Sequence, residues 1–332
     1  MKVTLTTVAK EARVSPSTVS RILNGTAAVD PEKRKRVQEA IERLGFRPDY
    51  AARSLAGGRT STIGVVTQFI DSPFYGEVLR GIENALRAQH HVPLFVSGHW
   101  EVSEERECIN LLMDRRVDGI ISLNSCLSDA QLLEVADRVP LVVTGRRLKG
   151  PRVVSLDYDN VGGAVTAVEH LIELGHQHIA FISGPTSHAD ARERLGGYMA
   201  ALGSRAHRNP HLIMEADFTE EGGYKATIEL LASKVKFSAI LAANDQMAYG
   251  ARLALHEAGL SVPEDVSLVG FDDLYFSRYT TPPLTSVHHS AQDLGSLASK
   301  ALLKLIAGEP SDHLLLPTSF VQRSSTGAPA GH

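Results

Sequence analysis

Eight side chains able to grip a small polar molecule stand just after short apolar runs of this 332-residue chain. Asp71, Phe74 and Tyr75 follow the run 62–67, and Arg146 follows 141–144. His188 and Asp190 follow 179–183, Asn244 follows 239–243, and Asp272 follows 266–270. Runs this apolar read as strands buried on both faces. Open parallel sheets hold ligands outside the carboxyl ends of such strands. Carboxylates accept from hydroxyls, Arg forks donate to them, amides do both, and an aromatic face covers the apolar side of a ring. Each residue also has a plainer use. Phe74 and Tyr75 suit a core, Asn244-Asp245 suits a helix N-cap with Asp245 as the cap, and Asp272 suits a buried partner for a cation. Nothing here points to catalysis: GxSxG, GxxxxGK[ST] and zinc spacings are all missing. His176 and His178 read as helix-end and strand positions, and His288-His289 as structural. Cys108 and Cys126 form neither a metal spacing nor a disulfide framework. No metal and no cofactor are expected.

The elements that must position these residues alternate. Further strand-like runs lie at 93–97, 119–123 and 314–321. Amphipathic helical stretches lie at 75–89, 104–115, 129–138, 162–174, 191–202, 221–232 and 245–258. Such alternation argues for an α/β fold with parallel sheets covered on both faces, either a closed eight-fold barrel or two open, doubly wound sheets side by side.

The first 46 residues follow another pattern. Leu5, Val8, Ala9 and Ala12 share one helical face. After Arg13-Val14, Ser15-Pro16 reads as an N-cap followed by proline at the first helical position. Val19, Ile22 and Leu23 face inward on the second helix, and Val37, Ala40, Ile41 and Leu44 stripe a third after Asp30-Pro31. The spacing fits a helix-turn-helix, which sets the N-terminus of the second helix into the major groove of double-stranded DNA, or else a plain small helical bundle. Charge favours the first. Residues 1–60 hold twelve Lys/Arg against six Asp/Glu, a net of +6, so the other 272 residues carry −10 of the total −4. A basic end on an acidic body is the footprint of a nucleic-acid-binding head. Residues 47–60 read as a linker holding a short helix. No apolar run has the length of a membrane span or a secretory signal, so a cytoplasmic protein is expected.

Val8-Ala9, Val14-Ser15, Thr18 to Asn24, Arg53-Ser54-Leu55 and Thr62-Ile63-Gly64 together resemble the lactose/galactose repressor (LacI/GalR) family. So do Gly175-His176, Arg194 to Tyr198, Asn244 to Ala248, Gly270 to Asp273 and Pro283 to Val287. The resemblance runs from about residue 4 to about 325 and is nearest to the galactose and β-glucoside operon repressors. It implies a periplasmic-binding-protein-like core (61–325) of two subdomains, 61–159 with 290–319 and 160–288 with 320–325, and a tail at 326–332. The implied protein is a homodimeric repressor on a pseudo-palindromic operator, released by a small effector, here a sugar, with a purine corepressor as the alternative. A transport binding protein is a third reading, opposed by the basic head. The expected dimer surface includes the helix after residue 73 and the strand at 93–97.

On this resemblance Pro16 and Ser17 face bases, Arg21 either contacts guanine or clamps a phosphate, and Thr4, Thr6, Ser15, Ser20 and Asn24 position the DNA backbone. Ala52, Arg53 and Leu55 belong to the hinge, with Leu55 the wedge in the minor groove. Asp49 replaces the usual asparagine, so Asp49→Asn should tighten DNA binding. Arg13 stands in place of the usual glycine, which implies either backbone strain or one more phosphate contact. Arg194 matches the ligand-binding arginine and Phe218 the aromatic that stacks on the ligand. Gly145 lacks the usual polar side chain, which either removes one ligand contact or hands it to Arg146 or Arg147. Asp190, an acceptor only, suits sugar hydroxyls better than a purine.

Overall fold

The computed structural model describes residues 3–24, 29–46, 60–203, 206 and 209–330. The hinge positions Asp49, Ala52, Arg53 and Leu55 lie outside the described residues. The chain divides into two compact units, 1–60 and 61–332.

In the first unit, α1 (Leu5–Glu11), α2 (Pro16–Asn24) and α3 (Pro31–Leu44) enclose a small core of Val8, Ala9, Ala12, Val19, Val37, Ala40 and Phe46. Local chemistry sets each helix end. Thr4 caps α1 by accepting from the Thr7 amide, and Ser15 caps α2 by accepting from the Thr18 amide at 3.2 Å. Asp30 caps α3, and Gly45 closes it in the left-handed conformation. Arg13, in the turn between α1 and α2, is held at φ +53°. A residue with a Cβ is strained there by roughly 1–2 kcal/mol. Arg13→Gly should therefore raise the head's unfolding free energy by about 1 kcal/mol, read from urea melts of residues 1–60 within the full chain. An unchanged or lower midpoint would contradict the strain.

The second unit holds two six-stranded sheets. The first is built from β1 (Thr62–Thr67), α4 (Pro73–Ala88), β2 (Val92–Ser97), α5 (Val102–Asp114), β3 (Gly119–Ser122), α6 (Asp129–Arg138), β4 (Leu141–Thr144) and β5 (Val153–Tyr158). The second takes α7 (Asn160–Glu173), β6 (Ile179–Ser183), α8 (Ala189–Leu202), β7 (Ile213–Glu215), α9 (Glu220–Ala232), β8 (Ala239–Ala242), α10 (Asp245–Glu257), β9 (Ser267–Asp272) and β10 (Thr285–His288). The chain then forms α11 (Ala291–Ala307), β11 (Leu314–Leu316) and β12 (Ser319–Val321). Strand orders are β11-β5-β4-β3-β1-β2 and β12-β10-β9-β8-β6-β7. All pairings are parallel except β12 on β10. The fold is α/β with two open sheets; the eight-fold barrel is excluded. β1, β3, β4, β5, β6, β8 and β9 are buried almost throughout, as helices on both faces require.

Three expectations change. The run 314–321 is two strands in different sheets, parted at Pro317, which has no N–H for a ladder. The helix Ala291–Ala307, absent from the sequence reading, packs against α4. Residues 326 and 327 are no loose tail. The Gly327 carbonyl lies 2.9 Å from Nε2 of the buried His176, and the Gly327 amide donates to Ser267 Oγ.

Two helix pairs cross on glycines where backbones nearly touch. α4 meets α11 through Gly81 and Gly295, and α9 meets α10 through Gly223 and Gly250. This contact fixes α9 and α10, whose first residues reach the site described next.

Candidate functional site

The head presents an exposed polar surface at the N-terminus of α2: Ser15, Pro16, Ser17 and Arg21, with Thr4 and Thr6 exposed on α1. Ser20 is half-buried, and α2 ends at Asn24. The Thr4 and Ser15 hydroxyls also serve as helix caps, and Ser15 Oγ lies 2.8 Å from Ser17 Oγ. Capping fixes the rotamers at the point where a helix N-terminus, with its free N–H groups, meets phosphate.

In the core a cavity of about 490 Å³ opens between the carboxyl ends of the two sheets. Of the ten expected ligand residues it is lined by nine: Asp71, Phe74, Tyr75, His188, Asp190, Arg194, Phe218, Asn244 and Asp272. Arg146 is the correction. Its guanidinium turns away into the loop after β3, donating to the carbonyls of Leu127 (2.7 Å) and Ser125 and pairing with Asp129 at 3.0 Å. Three acceptors so close leave it a loop clamp. Arg146→Ala should lower core stability by roughly 1.5–3 kcal/mol and leave effector affinity within twofold in calorimetry. A tenfold affinity loss with unchanged stability would reverse that assignment.

The polar contact expected beside Gly145 comes instead from Asn124. Gly145 sits at φ +70°, and a Cβ there would lie 2.8 Å from Asn124 Nδ2. The missing side chain is the space Asn124 occupies. Its amide donates across the cleft to Asp190 Oδ2 at 2.6 Å, and its carbonyl accepts from Thr144 Oγ1. Asp190 also accepts from Asn160, which accepts from Arg194 Nε at 2.9 Å. Arg194, buried on the Phe271 ring at 3.8 Å, donates to the Ala243 carbonyl and pairs with Asp272 at 3.4 Å. His289 Nε2 reaches the same Asp272 oxygen at 2.9 Å, and burial lowers the pKa of this histidine despite that carboxylate.

Asn244, not Asp245, is the N-cap of α10: its carbonyl accepts from the Met247 amide and its amide donates to the Phe218 carbonyl. Asp245 is wholly buried beneath, accepting from the Leu274 amide and the hydroxyls of Ser277 and Ser286. Burial pushes its carboxyl up to about 8.

The aromatic wall is larger than the sequence suggested. Trp100 meets His188 edge-on at 4.3 Å, with Phe218 6.1 Å and Phe69 5.3 Å away. Gln68, fully buried, binds the Trp100 amide and the carbonyls of Leu123 and Asn124, tying two cavity loops together. Non-glycine residues at positive φ gather here: His99, Trp100, Asn124, Phe218 and Asp272. Local strain of this kind persists where the surroundings enforce it and is concentrated at ligand sites. Sequence reasoning missed Phe69, Trp100, Asn124, Asp217 and Gln246. Trp100 and Asn124 follow β2 and β3 directly, so the rule applied to the other strands would have found them.

A helix-turn-helix head joined to two largely parallel sheets around a ligand-sized cavity defines a class: DNA-binding regulators that respond to a small molecule. Residues 4–49 match the bacterial regulatory proteins of the lacI family, and residues 168–326 match the periplasmic binding protein-like domain. The chain belongs to the LacI family of transcriptional regulators and is not an enzyme.

It is 35% identical to catabolite control protein A of Priestia megaterium, over 98% of this chain and 100% of that one. It is 34% identical to the repressor PurR of Aliivibrio fischeri (93% of each) and to the regulator AscG of Escherichia coli (98% and 99%). The near-equal values single out no branch, the galactose and β-glucoside branch included. Among solved structures, the lac repressor dimer bound to operator and the anti-inducer ONPF superposes with a TM-score of 0.88 at 32% identity, over 99% of this chain and 100% of that one. The CelR–cellobiose complex superposes at 0.73 and 33%, over 97% and 99%. Among the described residues no helix is long and apolar enough to cross a membrane.

Proposed function

We propose that this regulator is a cytoplasmic, homodimeric repressor of carbohydrate utilisation, released from a pseudo-palindromic operator when a sugar fills the core cavity. The observation that carries the sugar reading is the pairing of the Trp100–His188–Phe218 wall with hydroxyl acceptors opposite, Asp190 and Asp272 among them. Flat aromatic faces suit the apolar side of a pyranose, and carboxylates suit its hydroxyls. Solved relatives hold cellobiose and ribose. Asp71, Phe74, Tyr75, Arg194, Phe218 and Asn244 complete the proposed contacts. In the head, Pro16, Ser17 and Arg21 face bases and Thr4, Thr6, Ser15, Ser20 and Asn24 the phosphates, with Ala52, Arg53 and Leu55 in the minor groove.

Exposed apolar residues support self-association. Val92 (58% exposed) and Leu94 lie on the edge strand β2, and Tyr275, Phe276 and Tyr279 cluster on the second subdomain. Apolar groups of this size on an edge or in a patch mark an interface.

A purine corepressor is the second reading, to which the 34% identity with the repressor PurR lends weight. A thermal-shift panel of galactosides, glucosides, hypoxanthine and guanine separates the two. Ligand at a hundredfold excess over Kd adds about 2.7 kcal/mol to stability. The sugar reading predicts a shift with a sugar that is lost in Trp100→Ala and in Asp190→Ala. A shift with purines alone sinks it.

A further inference from the structure

Resting on the sugar reading, we propose that the cavity also selects by charge: it favours sugars bearing an ammonium group, accepts neutral ones, and refuses phosphorylated or acidic sugars.

The wall carries five carboxylates, on Asp71, Asp190, Asp217, Glu220 and Asp272, against one guanidinium, on Arg194. That guanidinium is already committed to Asp272, the Asn160 carbonyl and the Ala243 backbone. Of the other four acids, Asp217 lies within reach of the Lys225 charge, while Asp71, Asp190 and Glu220 have only neutral hydrogen-bond partners among the described residues, or none. Asp190 accepts from two amides, Asp217 from the Thr219 amide and hydroxyl, and Glu220 from the Gln246 amide. Asp71, exposed at the mouth, has no ion pair there. The one imidazole in the wall adds no compensating charge, since burial lowers the pKa of His188.

Further carboxyl groups lie behind the wall, with the Arg147 charge within reach of Asp157. Carboxylate oxygens of Asp157, Asp190 and Glu193 lie within 4.8 Å of one another. Three acids with no ion pair among the described residues, in a cleft of low-dielectric walls, focus a negative potential on the cavity. A hydroxyl ligand needs acceptors, but amides would meet that need without net charge. The uncompensated carboxylates gain their full value only from a ligand that brings positive charge. Phosphate or carboxylate groups meet repulsion, with no free guanidinium or ammonium in the wall to hold them.

The test is isothermal titration of the full chain with two matched series. Each series comprises the free hexose (glucose or galactose), its 2-amino-2-deoxy form, and its 6-phosphate. In the series that binds, the amino sugar is expected to bind at least roughly fivefold tighter than the hexose at low salt, with the 6-phosphate weakest. The advantage should shrink with added salt and in the double variant Asp71→Asn, Glu220→Gln, whose folding is checked by its melting temperature. A hexose that binds as well as its amine, or a 6-phosphate that binds best, overturns the charge inference and leaves the sugar reading intact. Heat from none of the six probes overturns both.

Discussion

Gly250→Ala is expected to cost the core at least about 3 kcal/mol and to deform the cavity with it. A Cβ on Gly250 would stand 1.8 Å from the Glu220 carbonyl oxygen and 2.7 Å from the Tyr224 amide nitrogen. Both obstacles are backbone, so no side chain can rotate out of the way. α9 must translate as a body, and packed interiors resist that. The reciprocal position leaves no slack on the other side, since a Cβ added to Gly223 would stand 2.2 Å from the Met247 carbonyl oxygen. α9 begins at Glu220, next to Phe218, and α10 is capped by Asn244, so separating the helices moves two cavity residues as well. Gly196→Ala supplies the control. That position lies in α8, and an added Cβ there meets nothing within 4 Å. It should be neutral or stabilising by about 0.5–1 kcal/mol. Urea melts of the two variants beside the parent decide the matter; equal midpoints for Gly250→Ala and the parent would refute the close crossing.

The second large effect is expected from Asp157→Asn and depends on pH. Asp157 is 5% exposed at the end of β5, and its carboxyl is pushed up to about 7, first by burial and then by the charges of Asp190 and Glu193. A carboxyl whose folded pKa lies above its unfolded value favours the fold while it is protonated. That contribution is complete below about pH 4 and is lost as pH rises through about 7. Asparagine keeps the acceptor that Asp157 Oδ1 offers the Tyr158 amide, and it removes the charge. The variant should match the parent near pH 4 and exceed it at pH 8 by roughly 2–4 kcal/mol, the lower end allowing for water in the cleft. Denaturant melts at pH 5, 6.5 and 8 check the slope. A constant difference between variant and parent across that range would contradict the raised carboxyl of Asp157. Asp245, at about 8, keeps a similar slope in both proteins and does not confuse the comparison.

The strands legible in the sequence were those with unbroken apolar runs. β5 (VVSLDY) escaped because Ser155 and Asp157 interrupt it. Both are buried polar positions answering to local partners, Ser155 to the Leu148 backbone and Asp157 to the cleft. β10 (TSVH) escaped for the same reason: Thr285 and Ser286 are buried through bonds with Ser325, Arg323 and Asp245. α11 is rich in Ala, Gly and Ser because it lies close against α4, and that composition blurred its apolar stripe. Cavity residues were legible where they follow an obvious strand. Arg146 follows one too, but the direction of a side chain is set by the nearest acceptors, and those lay in its neighbouring loop. The cross-cleft bond between Asn124 and Asp190 joins residues 66 positions apart, and no local pattern encodes it.

Effector binding in the cavity is expected to control DNA binding by the head. The most direct test is fluorescence anisotropy of the full chain on a duplex selected in vitro from random sequence, with and without the sugar that raises its melting temperature. The sugar is expected to weaken DNA binding by roughly 5- to 150-fold, a coupling of about 1–3 kcal/mol. Trp100→Ala is expected to bind the duplex normally and to ignore the sugar. DNA binding that the sugar leaves unchanged or tightens would contradict that control.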